Sequence, residues 1–138
     1  MDSRFPLRGL LRSRGNDNSI NMLIEVLKSK IGHATITQAE LKYEGSITID
    51  SDILKAVGMI PGEKVHVLNE NTGNRLETYV IAGEPASGVI CLNGPAARHG
   101  YVGDRLIILS YGLLEVAEAR RLQPKIVYLD PKNKIKKI

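Results

Sequence analysis

The chain has 138 residues, 43% of them hydrophobic and 4% aromatic, with no Trp and one Phe. That length suits one domain with a core of Ile, Leu, Val and Ala, and no run approaches the ~18 apolar residues of a membrane helix. The net charge of +4 sits at the ends: residues 1–21 carry +2, residues 132–138 carry +4 and the body 22–131 carries −2, so the body has no charge run for phosphates and nucleic acid is disfavoured as a partner.

Residues 1–21 have no sustained periodicity, and GLL is their only apolar run. They read as a disordered N-terminal extension: an upstream start, a processed leader or a cloning remnant. Met22 opens MLIEVLKSKIG, one strand or two short ones, and ATITQAELKY and SITI continue in extended chemistry. Asp50-Ser51-Asp52 predicts a helix start before ILKAV, and Gly58 predicts its stop. MIPGEKV turns into the strand KVHVLNE, NTGN makes a hairpin turn, and RLETYVIAG returns. EPASG is a loop before the strand GVICL. NGPAARHG then reads as a one- or two-turn helix with Asn93 as cap and Pro95 in its first turn. VGDRLIILSYG is a strand entered through a Gly-Asp turn, and LLEVAEARRL a short amphipathic helix. PKIVYLD and KIKKI form a last strand pair about a PKN turn. Many short strands with few short helices argue for a small closed barrel rather than a doubly wound sheet.

Familiar catalytic patterns are missing. His33, His66 and His99 are far apart and, with Cys91 as the one cysteine, make no zinc pattern. Neither a phosphate-binding glycine loop nor G-x-S-x-G occurs. Cys91 lies in an apolar strand and reads as a small buried hydrophobe; a chain that can form no internal disulfide fits a cytoplasmic location. What remains is a set of polar residues at strand ends: Lys30, Tyr43, Ser46, Arg75, Thr78, Tyr79 and Asn93. Each has an ordinary reading as surface charge, strand former or helix cap, and Gly45-Ser46 reads locally as a tight turn.

Four ordered blocks give these residues a common context: KIGHATITQAELKYEGSITID, NTGNRLETYVI, VICLNGPAARHGYVGDRLIILSYG and EARRLQPKIVYLD. From residue 22 to about 131 the chain resembles the pyruvoyl-dependent aspartate 1-decarboxylases. The resemblance implies a mainly β fold, a six-stranded double-psi β-barrel with a few short helices over 22–138. It also implies a homotetramer with active sites between neighbouring subunits. It implies that Ser46 Oγ attacks the Gly45 carbonyl, that the chain divides into 1–45 and 46–138, and that residue 46 becomes a covalent pyruvoyl group. No metal and no pyridoxal phosphate are then needed. That group takes up L-aspartate as a Schiff base and accepts electrons as CO2 leaves, giving β-alanine for pantothenate synthesis.

By the same resemblance Thr78 assists processing as donor to the Gly45 carbonyl, with Gly45 tolerating strained angles, and Tyr79 returns a proton to the substrate. Lys30, Tyr43, Arg75, Thr78, Asn93, Gly94, Pro95 and Ala96 bind substrate. Two positions depart from the family pattern: Gly32-His33 replaces a His-Arg pair, and Pro95 replaces an alanine and removes a backbone N–H. Whether a helper protein assists maturation stays open. The competing reading is a non-catalytic β-barrel binding module with basic ends, which needs neither Ser46 nor cleavage.

Overall fold

Alternating apolar and polar residues put most of the described chain into strands. The computed structural model describes residues 22–136, so the expectation for 1–21 and for the last two residues of the tail lies outside it. In chain order the elements are β1 (Leu23–Thr35), β2 (Gln38–Glu40), β3 (Ser46–Asp50), α1 (Ser51–Val57), β4 (Lys64–Asn69) and β5 (Arg75–Gly83). There follow β6 (Ile90–Asn93), a 3-10 helix (Gly94–His99), β7 (Arg105–Glu115), α2 (Val116–Ala119) and β8 (Lys125–Tyr128).

All eight strands join one sheet, in the order β2-β6-β3-β5-β4-β7-β1-β8. Six strands lie between the short outer strands β2 and β8, the number the resemblance implies. The sheet is drawn round on itself by its own chain. β1 and β2 stand near opposite ends of the order, yet only Ile36 and Thr37 separate them. Ile36 N donates to Asp104 O at 2.9 Å, before β7, and Thr37 N donates to Ile90 O of β6 at 2.8 Å. The fold is therefore mainly β and barrel-like, with short helices at its margins.

The interior holds Ile31, Ile47, Ile49, Val65, Val67, Val80, Ile90, Leu92, Leu106 and Ile108, with α1 adding Ile53, Leu54 and Val57. No aromatic ring enters this cluster, as the composition requires. Each such aliphatic side chain contributes roughly 1.5–3 kcal/mol by leaving water. Cys91 is buried, as its strand pattern implies.

Several local expectations are refined. β1 is one strand of 13 residues, not two, with register shifts against β7 at Leu27/Ser29 and Ile31/Ala34. The second shift contains the divergent Gly32-His33 pair. His33 has φ 60° there, and a Cβ on Gly32 would lie 2.7 Å from Tyr128 Cε1. Glycine at 32 thus lets the Tyr128 ring lie directly on β1. The expected helix over LLEVAEARRL shrinks to α2, because Leu113 and Leu114 complete β7 opposite Glu25 and Ile24. The expected last strand pair is β8 plus a single bridge between Leu129 and Ile135.

The start of α1 obeys its sequence signals. Asp50 caps it by accepting from Asp52 N at 2.8 Å, and Gly58 ends it with φ 72°. The Asp50 carboxylate also accepts from Ala86 N at 3.1 Å and Gly88 N at 2.8 Å, so one buried side chain ties β3, α1 and the loop before β6. Asp50→Ala leaves three backbone N–H groups to find new partners and is expected to cost about 3 kcal/mol. Urea unfolding checks this; a loss below about 1 kcal/mol would contradict it.

Candidate active site around Ser46

Ser46 opens β3, and the pairing of β3 with β6 decides what surrounds it. The two strands run antiparallel with Ser46 opposite Asn93 and Thr48 opposite Cys91. Alternate residues share a sheet face, so these four side chains form one cluster. Ser46 is 0% exposed and Asn93 is also buried. Asn93 Nδ2 donates to Ser46 Oγ at 2.9 Å and to Thr48 Oγ1 at 2.9 Å. Asn93 Oδ1 accepts from Cys91 Sγ at 3.2 Å, and Ser46 Oγ donates to Glu44 O at 3.3 Å. The hydroxyl is thus held from two sides, with no charged side chain among its hydrogen-bond partners.

Asn93 corrects the sequence reading. Its backbone stands at the N-cap of the 3-10 helix, but its side chain makes no capping bond; it turns across the sheet to the two hydroxyls instead. Gly94 explains the close approach of the segment before Ser46. It has φ 63°, and a Cβ there would collide with Tyr43 O and come within 2.8 Å of Gly45 N and 2.9 Å of Glu44 C. Only glycine meets both the left-handed backbone and the contact.

A cleft of about 320 Å³ opens beside this cluster, lined by Gly45, Thr78, Tyr79, Pro95 and Ala96 together with Leu76, Glu77 and His99. The register accounts for the grouping. β3 and β5 run parallel with Ile47 opposite Val80, so one step back along both strands lie Ser46 and Tyr79, and two steps back Gly45 and Thr78. Tyr79 is 40% exposed. Among the described residues Thr78 makes no side-chain hydrogen bond, so the expected bond to the Gly45 carbonyl is not formed in the intact chain. Nor is Gly45 in the left-handed region; a Cβ there would meet only Pro95 Cδ at 3.5 Å.

The other expected binding residues, Lys30, Arg75 and Tyr43, are not among those that line the cleft. Lys30 is on β1, three places from β5 in the sheet; its Nζ lies 5.8 Å from the centre of the Tyr128 ring. Arg75 opens β5, exposed, and Tyr43 is exposed in the turn before Gly45. Glu77 and His99 escaped the sequence reading. Lys64 hydrogen-bonds Glu77 at 3.0 Å and holds its carboxyl below the usual range. Among the described residues no group of three or more His, Cys, Asp and Glu side chains could hold a metal ion.

Residues 22–136 match the family model described as aspartate decarboxylase. The aspartate 1-decarboxylase of Listeria welshimeri serovar 6b is 58% identical over 117 residues, covering 85% of this chain and 92% of that protein. The aspartate 1-decarboxylase of Caldicellulosiruptor saccharolyticus is 57% identical over 117 residues, 85% of this chain and 91% of its own. That of Acetivibrio thermocellus is 54% identical over 114 residues, 83% and 90% of the two chains.

Gly94→Ala tests the clamp on the segment before Ser46. A strained left-handed alanine costs about 1–3 kcal/mol, and the collision with Tyr43 O adds to it. Thermal unfolding should shift down by several degrees relative to Gly62→Ala, a left-handed glycine with nothing near its Cβ position. Equal shifts for the two variants would contradict the clamp.

Proposed function

The chain belongs to the aspartate decarboxylase family, and on that premise we propose that it is a self-processing enzyme that converts L-aspartate to β-alanine and CO2, the β-alanine serving pantothenate synthesis. Membership of an enzyme family sets aside the binding-module reading. The observation that carries the mechanism is the placing of a fully buried, doubly hydrogen-bonded Ser46 hydroxyl one residue from a glycine that lines a cleft.

Processing begins when Ser46 Oγ attacks the Gly45 carbonyl carbon. The C–N bond breaks, the hydroxyl proton passes to the Ser46 nitrogen, and the amide becomes an ester. Loss of the Ser46 Cα proton and cleavage of Cβ–O then release segment 1–45 with a carboxylate at Gly45. The dehydroalanine left at 46 takes up water and loses ammonia, and the new end is a pyruvoyl group. Every serine has its hydroxyl near the preceding carbonyl, so the fold must supply orientation and oxyanion stabilisation. Orientation can be worth about 7–11 kcal/mol, and one well-placed donor about 3–4 kcal/mol. Asn93 orients the hydroxyl. Thr78, whose hydroxyl has no other bond among the described residues, donates to the Gly45 oxygen as charge develops on it.

The site suits such a group. The Asn93 amide N–H that now meets Ser46 Oγ can equally donate to a carbonyl oxygen, and the cleft adjoins position 46. The pyruvoyl carbonyl supplies the electron sink that an amino-acid Cα needs once CO2 departs. Around it Tyr79 holds a proton on its phenol for return to Cα, and Pro95 and Ala96 line the cleft with Thr78, directly after Asn93 and Gly94 in the chain. Arg75 offers a planar fork to one substrate carboxylate. Lys30 does not line this chain's own cleft, which fits a role in the cleft of a neighbouring copy within a homotetramer. A chain limited to one cysteine suits the reducing cytoplasm.

A denaturing gel and a β-alanine assay test this reading. Wild type should run as two fragments, 1–45 and 46–138, and release β-alanine from aspartate. Ser46→Ala should remain whole and inactive, and Thr78→Val should cleave about 100-fold more slowly. A wild-type chain that stays whole yet makes β-alanine at full rate would overturn it.

A further inference from the structure

Two side chains beside Ser46 have no assigned role: Thr48 on the same strand and Cys91 on its neighbour. Both touch Asn93 rather than Ser46. Asn93 has two N–H groups and one carbonyl oxygen to satisfy in a buried site, and each finds a single partner. One N–H goes to Ser46 Oγ and the other to Thr48 Oγ1, each at 2.9 Å, while Oδ1 accepts from the Cys91 thiol at 3.2 Å. Among the described residues no other group hydrogen-bonds this amide side chain.

The arrangement matters because an amide has two orientations that differ only in which end is the donor. Turned over, Asn93 would present Oδ1 to both hydroxyls. Ser46 would then give its proton to Asn93 instead of to Glu44 O, and its oxygen would lose the donor that fixes it. Hydroxyls can serve either orientation, since they both give and accept. The side chain at 91 tips the balance: turned over, the two amide N–H groups would face that one sulfur, a weak acceptor, whereas as found Oδ1 receives the thiol proton. Burial, helped by the charge of Glu40, pushes the Cys91 thiol up, so it keeps its proton at neutral pH. Thr48 adds the second constraint, since without its oxygen one Asn93 N–H would be buried with no acceptor.

We propose that Thr48 and Cys91 are positioning residues for the cleavage at Gly45–Ser46, acting through Asn93 to hold its amide with Nδ2 toward the attacking hydroxyl. The inference rests on the self-processing reading. It requires that cleavage, rather than folding, responds to a lost thiol or hydroxyl, and that replacements able to make the same bonds restore it.

The test is the rate of cleavage of freshly synthesised full-length chain, followed on denaturing gels. Thr48→Val and Cys91→Ala should each cleave about tenfold more slowly than wild type, the scale of loss expected for a slightly misdirected nucleophile. Thr48→Ser and Cys91→Ser, whose hydroxyls can make the same bonds to Asn93, should cleave within about twofold of wild type. The same four changes are made in a Ser46→Ala chain, which does not cleave, and its urea midpoint reports stability alone. Slow cleavage with unchanged midpoints, reversed by the serine variants, supports the proposal. Wild-type rates in Thr48→Val and Cys91→Ala overturn it while leaving self-processing intact, as does slowing that tracks the midpoints and is not reversed by serine. A wild-type chain that never cleaves sinks the self-processing reading itself, and the proposal with it.

Discussion

The bond between the Asn93 amide and the Ser46 hydroxyl is the constraint on which the rest depends. It spans two strands whose residues are far apart in sequence, and it exists only because β3 and β6 pair with Ser46 opposite Asn93. A shift of one residue would turn Asn93 to the other face of the sheet. The barrel therefore acts as a registering device. Its aliphatic core fixes β3 and β6, and Gly94 then lets the backbone of residues 43–45 close against the start of the 3-10 helix. Asp50, at the far end of β3, anchors that short strand to α1 and to the loop before β6. A peptide bond that is ordinary elsewhere is thus presented with its neighbouring hydroxyl already oriented.

Strands, hairpin and the first helix were legible in the sequence because their signals are local. Asp50 and Gly58 bound α1 where expected, and the NTGN turn joins β4 to β5. The surroundings of Ser46 were only partly legible. Thr48 and Cys91 carried no signal of their own, since their proximity to Asn93 depends on cross-strand register. Asn93 was misleading, because the Asn-Gly-Pro sequence is good cap chemistry and only the fold brings two hydroxyls to compete for its side chain. Glu77 and His99 carried no local signal for a site; only the fold brings β5 and the 3-10 helix to line one cleft. Leu113 and Leu114 fit a helical stripe, but β1 offered them a strand partner first.

Charge is distributed less simply than a dicarboxylate substrate would suggest. The cleft of one chain is lined by Glu77 and His99 but by neither Lys30 nor Arg75. Lys64 offsets the Glu77 charge, and Lys30 is held near Tyr128 on a distant part of the sheet. The proposed assembly of several copies would account for that separation. The Gly32-His33 departure touches the Tyr128 contact rather than the Ser46 cluster, so its effect should fall on how Lys30 is presented and not on processing.

The most direct measurement is the intact mass of the two pieces from purified wild-type protein. The account predicts that the larger piece starts at position 46 and is lighter, by one ammonia, than a chain beginning with serine, while the smaller ends in an ordinary glycine carboxylate. A larger piece with an unmodified serine at its start, in a preparation fully active on aspartate, would contradict it.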